Sequence, residues 1–201
     1  MSTTAAIVLA AGSSSRLGTP KQLVDLGGRP LLESVVAAVS TWPVGRVVVV
    51  LGSGADDILE SVDLGDAVVV VNDGWEEGIA SSIRVGLDVL TRDPGWERVF
   101  MVLGDQPAIP DDVPQRLLDG MEDSGRPAAV PVYRYERGNP VLFDRGLWPR
   151  LMTLEGDSGA AGLLRTHPEW VQEVRFDQLP PPDVDTPADV ADLQRGFRSR
   201  G

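Results

Sequence analysis

The chain has 201 residues, 42% of them hydrophobic, a formal charge of −12 and no cysteine. One well-buried core is affordable at this size, so a single domain over residues 1–201 is expected, while the missing cysteines exclude disulfides, thiolate zinc sites, iron–sulfur clusters and a cysteine nucleophile. The acidity disfavours nucleic acid, whose binding draws on a basic surface; with no secretory leader pattern and no apolar run near the roughly 20 residues that span a bilayer, a soluble cytoplasmic protein without a membrane partner is expected.

Apolar runs alternate with helical stretches, the pattern of a mostly parallel sheet covered on both faces. Ala5 to Ala10 is predicted as the first strand, and Arg29 to Ser40 as a helix with Pro30 near its first turn. Arg46 to Leu51 forms the second strand, Asp56 to Ser61 a short helix and Ala67 to Val71 the third strand. Ile79, Ile83, Leu87 and Leu90 recur close to the helical period, which predicts a helix over Gly78 to Leu90. Val99 to Leu103 is a fourth strand, Asp111 to Met121 a helix, and Ala128 to Val132 and Pro140 to Phe143 two further strands. Leu147 to Leu154 and Asp157 to Arg165 are predicted helical, Val171 to Phe176 extended, and Ala188 to Phe197 a closing helix. Leu179-Pro180-Pro181-Pro182 is a stiff connector, since too little chain follows it for a second core.

In parallel α/β sheets ligands bind beyond the carboxyl ends of the strands, so the residues following each apolar run carry the functional expectations. Leu9 to Leu23 is rich in small residues: Leu9, Ala10, Ala11, Gly12, Ser13 and Ser14 let backbone N–H groups approach an anion, with Arg16 and Lys21 adding positive charge. This reads as a triphosphate cradle, the plain alternative being a flexible connection. It is neither a Walker loop nor the G-x-G-x-x-G dinucleotide fingerprint. Asp105, in Gly104-Asp105-Gln106-Pro107, is placed to bind a hard cation that bridges phosphates, or simply to close a turn. Thr186 and Pro187 open the last helix with Asp189 in its first turn, which leaves Asp185 available as a second metal ligand. Asn72, Ser81 and Ser82 stand where a strand gives way to a helix and are candidates to bind a nucleotide base or acceptor, or only to shape the turn. His167, the sole histidine, fits a helix end at the surface better than a catalytic role, and Gly52-Ser53-Gly54 fits a tight turn.

Together these segments resemble the MobA-like NTP transferases of molybdenum-cofactor maturation. The resemblance rests on Leu9 to Leu23, on Asn72 with Gly78-Ile79-Ala80-Ser81-Ser82, on Gly104 to Pro107, on Gly138 to Phe143, on Gly156 to Ala160, and on Asp183 to Pro187. It implies a three-layer α/β/α sandwich, a Rossmann-like, mostly parallel sheet with one antiparallel strand carrying Pro140 to Phe143. It further implies Mg²⁺ on Asp105 and Asp185, a nucleoside triphosphate on the loop of Arg16 and Lys21, and Arg16, Lys21 and Asp105 as the catalytic groups. The Leu-Ala-Ala-Gly form and Gly138-Asn139-Pro140 are more similar to the cytidylyltransferase branch, where Gly-His-Pro is common. CTP, a small phosphorylated acceptor such as molybdopterin, and a molybdoenzyme client are therefore the expected partners. Other outcomes are transfer to a sugar phosphate or another phosphometabolite, a low-ranked methylerythritol-phosphate cytidylyltransferase, a non-catalytic nucleotide-binding chaperone, and an oxidoreductase, the last opposed by the missing fingerprint.

Overall fold

Runs that are apolar on both faces are stable only in the middle of a sheet, and the chain places its most apolar strands there. The computed structural model describes residues 3–13, 19–134, 136–157 and 159–198. Strand β1 (Thr4–Ala10) lies between β2 (Arg46–Leu51) and β4 (Arg98–Leu103), parallel to both, with Ile7 opposite Val48 on one side and Met101 on the other. The edge strand β3 (Val68–Val71) pairs parallel with β2. Beyond β4 comes β7 (Val141–Asp144), antiparallel to both β4 and β5 (Ala128–Tyr133). The parallel strand β8 (Val171–Phe176) pairs with β5, and the two-residue β6 (Glu136–Arg137) pairs antiparallel with its end, completing an eight-stranded sheet.

Alternation along β1 assigns each residue to a layer. Ala6 and Val8 face the core built with helices α1 (Leu31–Ser40), α2 (Ala55–Ser61), α4 (Val113–Ser124) and α7 (Pro187–Arg198). Ala5 and Ile7 face the second core, with α3 (Ile79–Thr91), α5 (Trp148–Leu151) and α6 (Gly159–Thr166). The result is the expected three-layer α/β/α sandwich, with the antiparallel strand in the segment assigned to it.

The differences have local causes. The helix expected over Leu147 to Leu154 shrinks to α5, after a 3₁₀ turn at Arg145–Leu147, because the chain leaves it through i→i+3 bonds and Arg84 Nη1 captures the Leu154 carbonyl at 2.5 Å. Helix α4 begins and ends later than periodicity predicts: Pro114 occupies its first turn, and Gly125 at φ 64° closes it with its N–H on the Met121 carbonyl. The β6 pairing was not expected at all; two charged residues carry no strand signal. Among the described residues no helix is long and apolar enough to cross a membrane.

Candidate active site

The first strand ends in Ala11-Gly12-Ser13, and the path of that loop is set by Gln22. This buried side chain donates Nε2 to the carbonyls of Ala10 at 2.7 Å and Gly12 at 3.3 Å. Because Gln22 sits in the 3₁₀ turn Lys21–Leu23, the same anchor brings Lys21 to the carboxyl edge of the sheet. Gly104, at the end of β4, permits close approach there: a Cβ on it would lie 2.8 Å from the Ala10 Cβ.

Lys21 joins two aspartates that are remote in sequence. Its Nζ lies 2.5 Å from Asp105 Oδ2 and 3.5 Å from Asp185 Oδ1. Burial alone would lower the ammonium pKa, but the carboxylates of Asp105 and Asp185 outweigh it and the pKa rises above its ordinary 10.5. The other oxygen of Asp105, Oδ1, is buried and has no hydrogen-bond partner among the described residues.

Asp185 arrives on the segment between β8 and α7. The Val184 N–H donates to the Asp105 carbonyl at 3.2 Å, and Gln106 Nε2 donates to Asp183 Oδ1 at 2.6 Å. Burial raises the pKa of Asp183, with the Asp105 and Asp185 carboxylates adding to it and the Gln106 hydrogen bond opposing it. Downstream, Asp189 Oδ2 accepts from Thr186 N at 2.7 Å and from Thr186 Oγ1 at 2.8 Å, while Thr186 Oγ1 accepts from Asp189 N at 3.3 Å. That reciprocal capping box starts α7 and leaves the Asp185 carboxylate facing Lys21.

Residues 9–13, Lys21, Gln22 and Asp105 line one wall of a cleft of about 390 Å³, and Trp75, Gly78, Ile79, Ser82 and Asp157 line the other. Gly78 makes that second wall possible. It has φ 98°, and a Cβ there would stand 2.5 Å from Asp157 Oδ1. The Ala80 N–H donates to the Gly156 carbonyl at 3.1 Å, which holds the loop before α6 against the start of α3.

The match to known proteins follows this geometry. The model of the MobA-like NTP transferase domain matches residues 6–172. The chain belongs to the MobA-like NTP transferase family. Nucleotidyl transfer is the reaction class of that family. A homologue of the Mycobacterium tuberculosis protein Rv0371c, from Mycobacterium sp. strain JC1, is 34% identical with a TM-score of 0.88, over 99% of this chain and 98% of that one. The manganese complex of Rv0371c from Mycobacterium tuberculosis H37Rv is 27% identical with a TM-score of 0.81, over 96% and 98%. The nicotine blue oxidoreductase of Paenarthrobacter nicotinovorans is 31% identical over 96% of this chain and 94% of its own length. The bifunctional protein GlmU of Bordetella petrii is 30% identical over 62% of this chain, which spans only 27% of that longer protein.

Within this MobA-like fold the predicted site residues separate. Leu9, Ala10, Ala11, Gly12, Ser13, Lys21, Ser82 and Asp105 line the cleft, and Asp185 joins them through Lys21. Arg16 and Ser14 lie outside the described residues. Asn72 and Ser81 are both buried and are not among the residues that line the cleft. Asn72 Nδ2 donates to Ser81 Oγ at 2.8 Å and Ser82 Oγ at 3.0 Å, its Oδ1 accepts from Gly74 N at 3.0 Å, and Ser81 Oγ donates to the Gly78 carbonyl at 2.8 Å. Their polar atoms are used in holding the start of α3 to the end of β3. His167 also stays off the cleft, stacked on Trp170 with ring centroids 3.7 Å apart. Sequence reasoning passed over Gln22, Trp75, Gln106, Asp157 and Asp183; all but Trp75 lie inside the quoted segments, but nothing in local spacing marks them.

The donor set fits a hard divalent cation. Two carboxylates converge, one with an unpartnered buried oxygen, and magnesium typically takes one or two protein carboxylates plus phosphates and water. Among the described residues no cluster of three His, Cys, Asp or Glu side chains offers a complete protein cage.

Proposed function

We propose that the protein transfers a nucleotidyl group from a nucleoside triphosphate, CTP in the first place, to a small phosphorylated acceptor, molybdopterin, with release of pyrophosphate. The observation that carries this reading is the convergence of Asp105 and Asp185 on Lys21 beside the loop that ends β1. Asp105 and Asp185 would hold Mg²⁺, which when bound supplies charge neutralisation on the phosphate oxygens. The manganese complex of the 27% identical Rv0371c supports a divalent ion in this fold. The Leu-Ala-Ala-Gly loop and Gly138-Asn139-Pro140 support CTP.

The acceptor phosphate attacks the α-phosphorus in line. One P–O bond forms to the acceptor, the bond between the α-phosphorus and its bridging oxygen to the β-phosphorus breaks, and pyrophosphate leaves. A phosphomonoester has its second pKa near 6, so the nucleophile is already largely dianionic at pH 7 and requires no general base. The role of the chain is then to orient and to neutralise: backbone N–H groups of residues 11–13 toward phosphate oxygens, Lys21 and Arg16 as cations, and the wall of Trp75, Ile79 and Ser82 toward base or acceptor.

The test is pyrophosphate release in a matrix of four triphosphates against molybdopterin and sugar phosphates. Release with CTP and molybdopterin, lost in Lys21→Ala, is expected; release only with a sugar phosphate transfers the assignment to that acceptor. No release from any pair, with triphosphate binding intact, makes the protein a nucleotide-binding chaperone. A second reading, an oxidoreductase, is favoured by the near full-length similarity to nicotine blue oxidoreductase. Oxidation of NAD(P)H with nicotine blue, in the absence of triphosphate, would establish it instead.

A further inference from the structure

The segment that delivers Asp185 has little regular structure of its own between Phe176 and Pro187, and it carries three prolines. Yet it brings Asp183 close enough to Asp105 and Asp185 for their carboxylates to repel it, and Asp185 to the ammonium that pairs with Asp105. Two contacts oppose that repulsion. Gln106, 7% exposed and next in sequence to Asp105, donates Nε2 to Asp183 Oδ1 at 2.6 Å across 77 positions. The Val184 N–H is held on the Asp105 carbonyl at 3.2 Å, with the Val184 side chain fully buried.

Asp185 is therefore fixed from both sides. Upstream stand these two contacts, and downstream its own N–H donates to Asp189 Oδ2 at 3.2 Å, part of the α7 cap. The Gln106 side-chain oxygen Oε1 is buried and has no hydrogen-bond partner among the described residues. A buried amide satisfied only on its donor side is a poor device for stability, since the unpaired oxygen carries a desolvation penalty. Its donor side instead holds the Asp183 carboxylate by Oδ1.

We propose that Gln106 and Asp183 form a tether that positions Asp185 opposite Asp105 and so presets a divalent-cation site, each acting as a positioning residue and not as a ligand. This rests on the metal reading of the Asp105–Asp185 pair given above. Partners of metal-binding carboxylates typically change affinity by about 10- to 100-fold when removed, and the tether falls in that class.

The experiment measures binding of Mn²⁺ alone to the full chain by electron paramagnetic resonance, with the thermal midpoint recorded for every variant. Gln106→Ala is expected to weaken Mn²⁺ binding by about tenfold or more while the protein stays folded. Asp183→Ala and Asp183→Asn remove the same charge, but only asparagine keeps an oxygen to accept from Gln106, so Asp183→Asn is expected to bind Mn²⁺ the more tightly. Should Gln106→Ala fail to fold, that charge-matched pair carries the test. Unchanged affinity in Gln106→Ala, with affinity lost in Asp185→Asn, overturns the tether. So does equal loss in both Asp183 variants, which would make Asp183 a source of charge or a ligand. If Asp105→Asn and Asp185→Asn leave Mn²⁺ binding untouched, the metal reading itself is what fails.

Discussion

Lys21 and Asp105 form an ion pair with Nζ and Oδ2 2.5 Å apart, across 84 positions of sequence. Lys21 lies between two carboxylates that would otherwise repel, so one side chain balances the charge of both.

Replacing Asp105 by Asn leaves the fold in place but removes the more buried of the two carboxylates. Nucleotidyl transfer is expected to fall on the order of 10²- to 10³-fold in kcat, the scale seen when one preorganised electrostatic group is lost. Chelation of divalent ions from the wild-type protein should have at least as large an effect. Steady-state pyrophosphate release at saturating Mg²⁺ checks both, and a variant with wild-type turnover would contradict the assignment.

Lys21→Ala leaves the carboxylates of Asp105 and Asp185 facing each other with no cation between them. Without metal the variant should melt a few degrees below wild type, a loss of about 1–2 kcal/mol at roughly 2–4 °C per kcal/mol for a chain of this size. Added Mg²⁺ should raise its melting temperature more than it raises that of the wild type. A scanning fluorimetry series with and without Mg²⁺ reads the difference, and identical shifts in the two proteins would count against the pairing.

Gly78→Ala places a Cβ at φ 98°, 2.5 Å from Asp157 Oδ1. Strain of about 1–3 kcal/mol is expected, relieved only if the loop at Gly156 and Asp157 withdraws from α3. Denaturant unfolding should show the loss, and the KM for the triphosphate should rise because the second wall of the cleft moves. A substitution without effect on either would mean that this wall is not required.

Tyr133 supplies a pH dependence. Its ring is fully buried and its hydroxyl donates to the Asn139 carbonyl at 2.9 Å. Burial, helped by the Asp112 carboxylate, raises the phenol pKa above its ordinary 10.0. Above pH 10 the unfolded chain loses this proton while the native protein keeps it, so stability falls as pH rises, by about 1.4 kcal/mol per pH unit until the native phenol ionises. Lys21, also raised, adds stability that is complete below its unfolded value of 10.5 and is lost as pH climbs through its native value. Tyr133→Phe should cost about 1 kcal/mol at pH 7 for the lost hydrogen bond, yet show a shallower alkaline decline. Parallel declines for both proteins in urea titrations from pH 9 to about 11.5 would refute the assignment to Tyr133.

Asn72→Ala separates a scaffold role from a binding role. Its side chain is buried and spends its hydrogen bonds on Ser81, Ser82 and Gly74. Loss of this network is expected to destabilise the protein by about 1–3 kcal/mol, with only a modest change in triphosphate affinity near 25 °C. Wild-type stability combined with a large loss of affinity would restore Asn72 to the ligand.

Local sequence determined much of the architecture because the signals involved are short-ranged. Val171–Phe176 and Arg46–Leu51 become strands at the boundaries their composition predicts, and α3 follows the period of Ile79, Ile83, Leu87 and Leu90. Thr186, Pro187 and Asp189 begin a helix from a three-residue hydrogen-bonding pattern that needs no other part of the chain. The loop from Leu9 to Leu23 was recognisable for the same reason: small residues and paired cations occur close together in sequence.

Only the tertiary structure decided which polar groups meet. Asp105 and Asp185 reach one ammonium, Gln106 finds Asp183, and Asp157 faces Gly78, through separations that no periodicity encodes. The same holds for Asn72 and Ser81, which look like ligand groups in the chain and become struts once β3 and α3 are packed. It holds for the four valines of β3 too, whose run gives no sign that Val68 and Val71 will be left 38% and 43% exposed at the sheet edge. Propensity acts over a few residues, whereas burial and pairing depend on the order in which the strands assemble into the sheet.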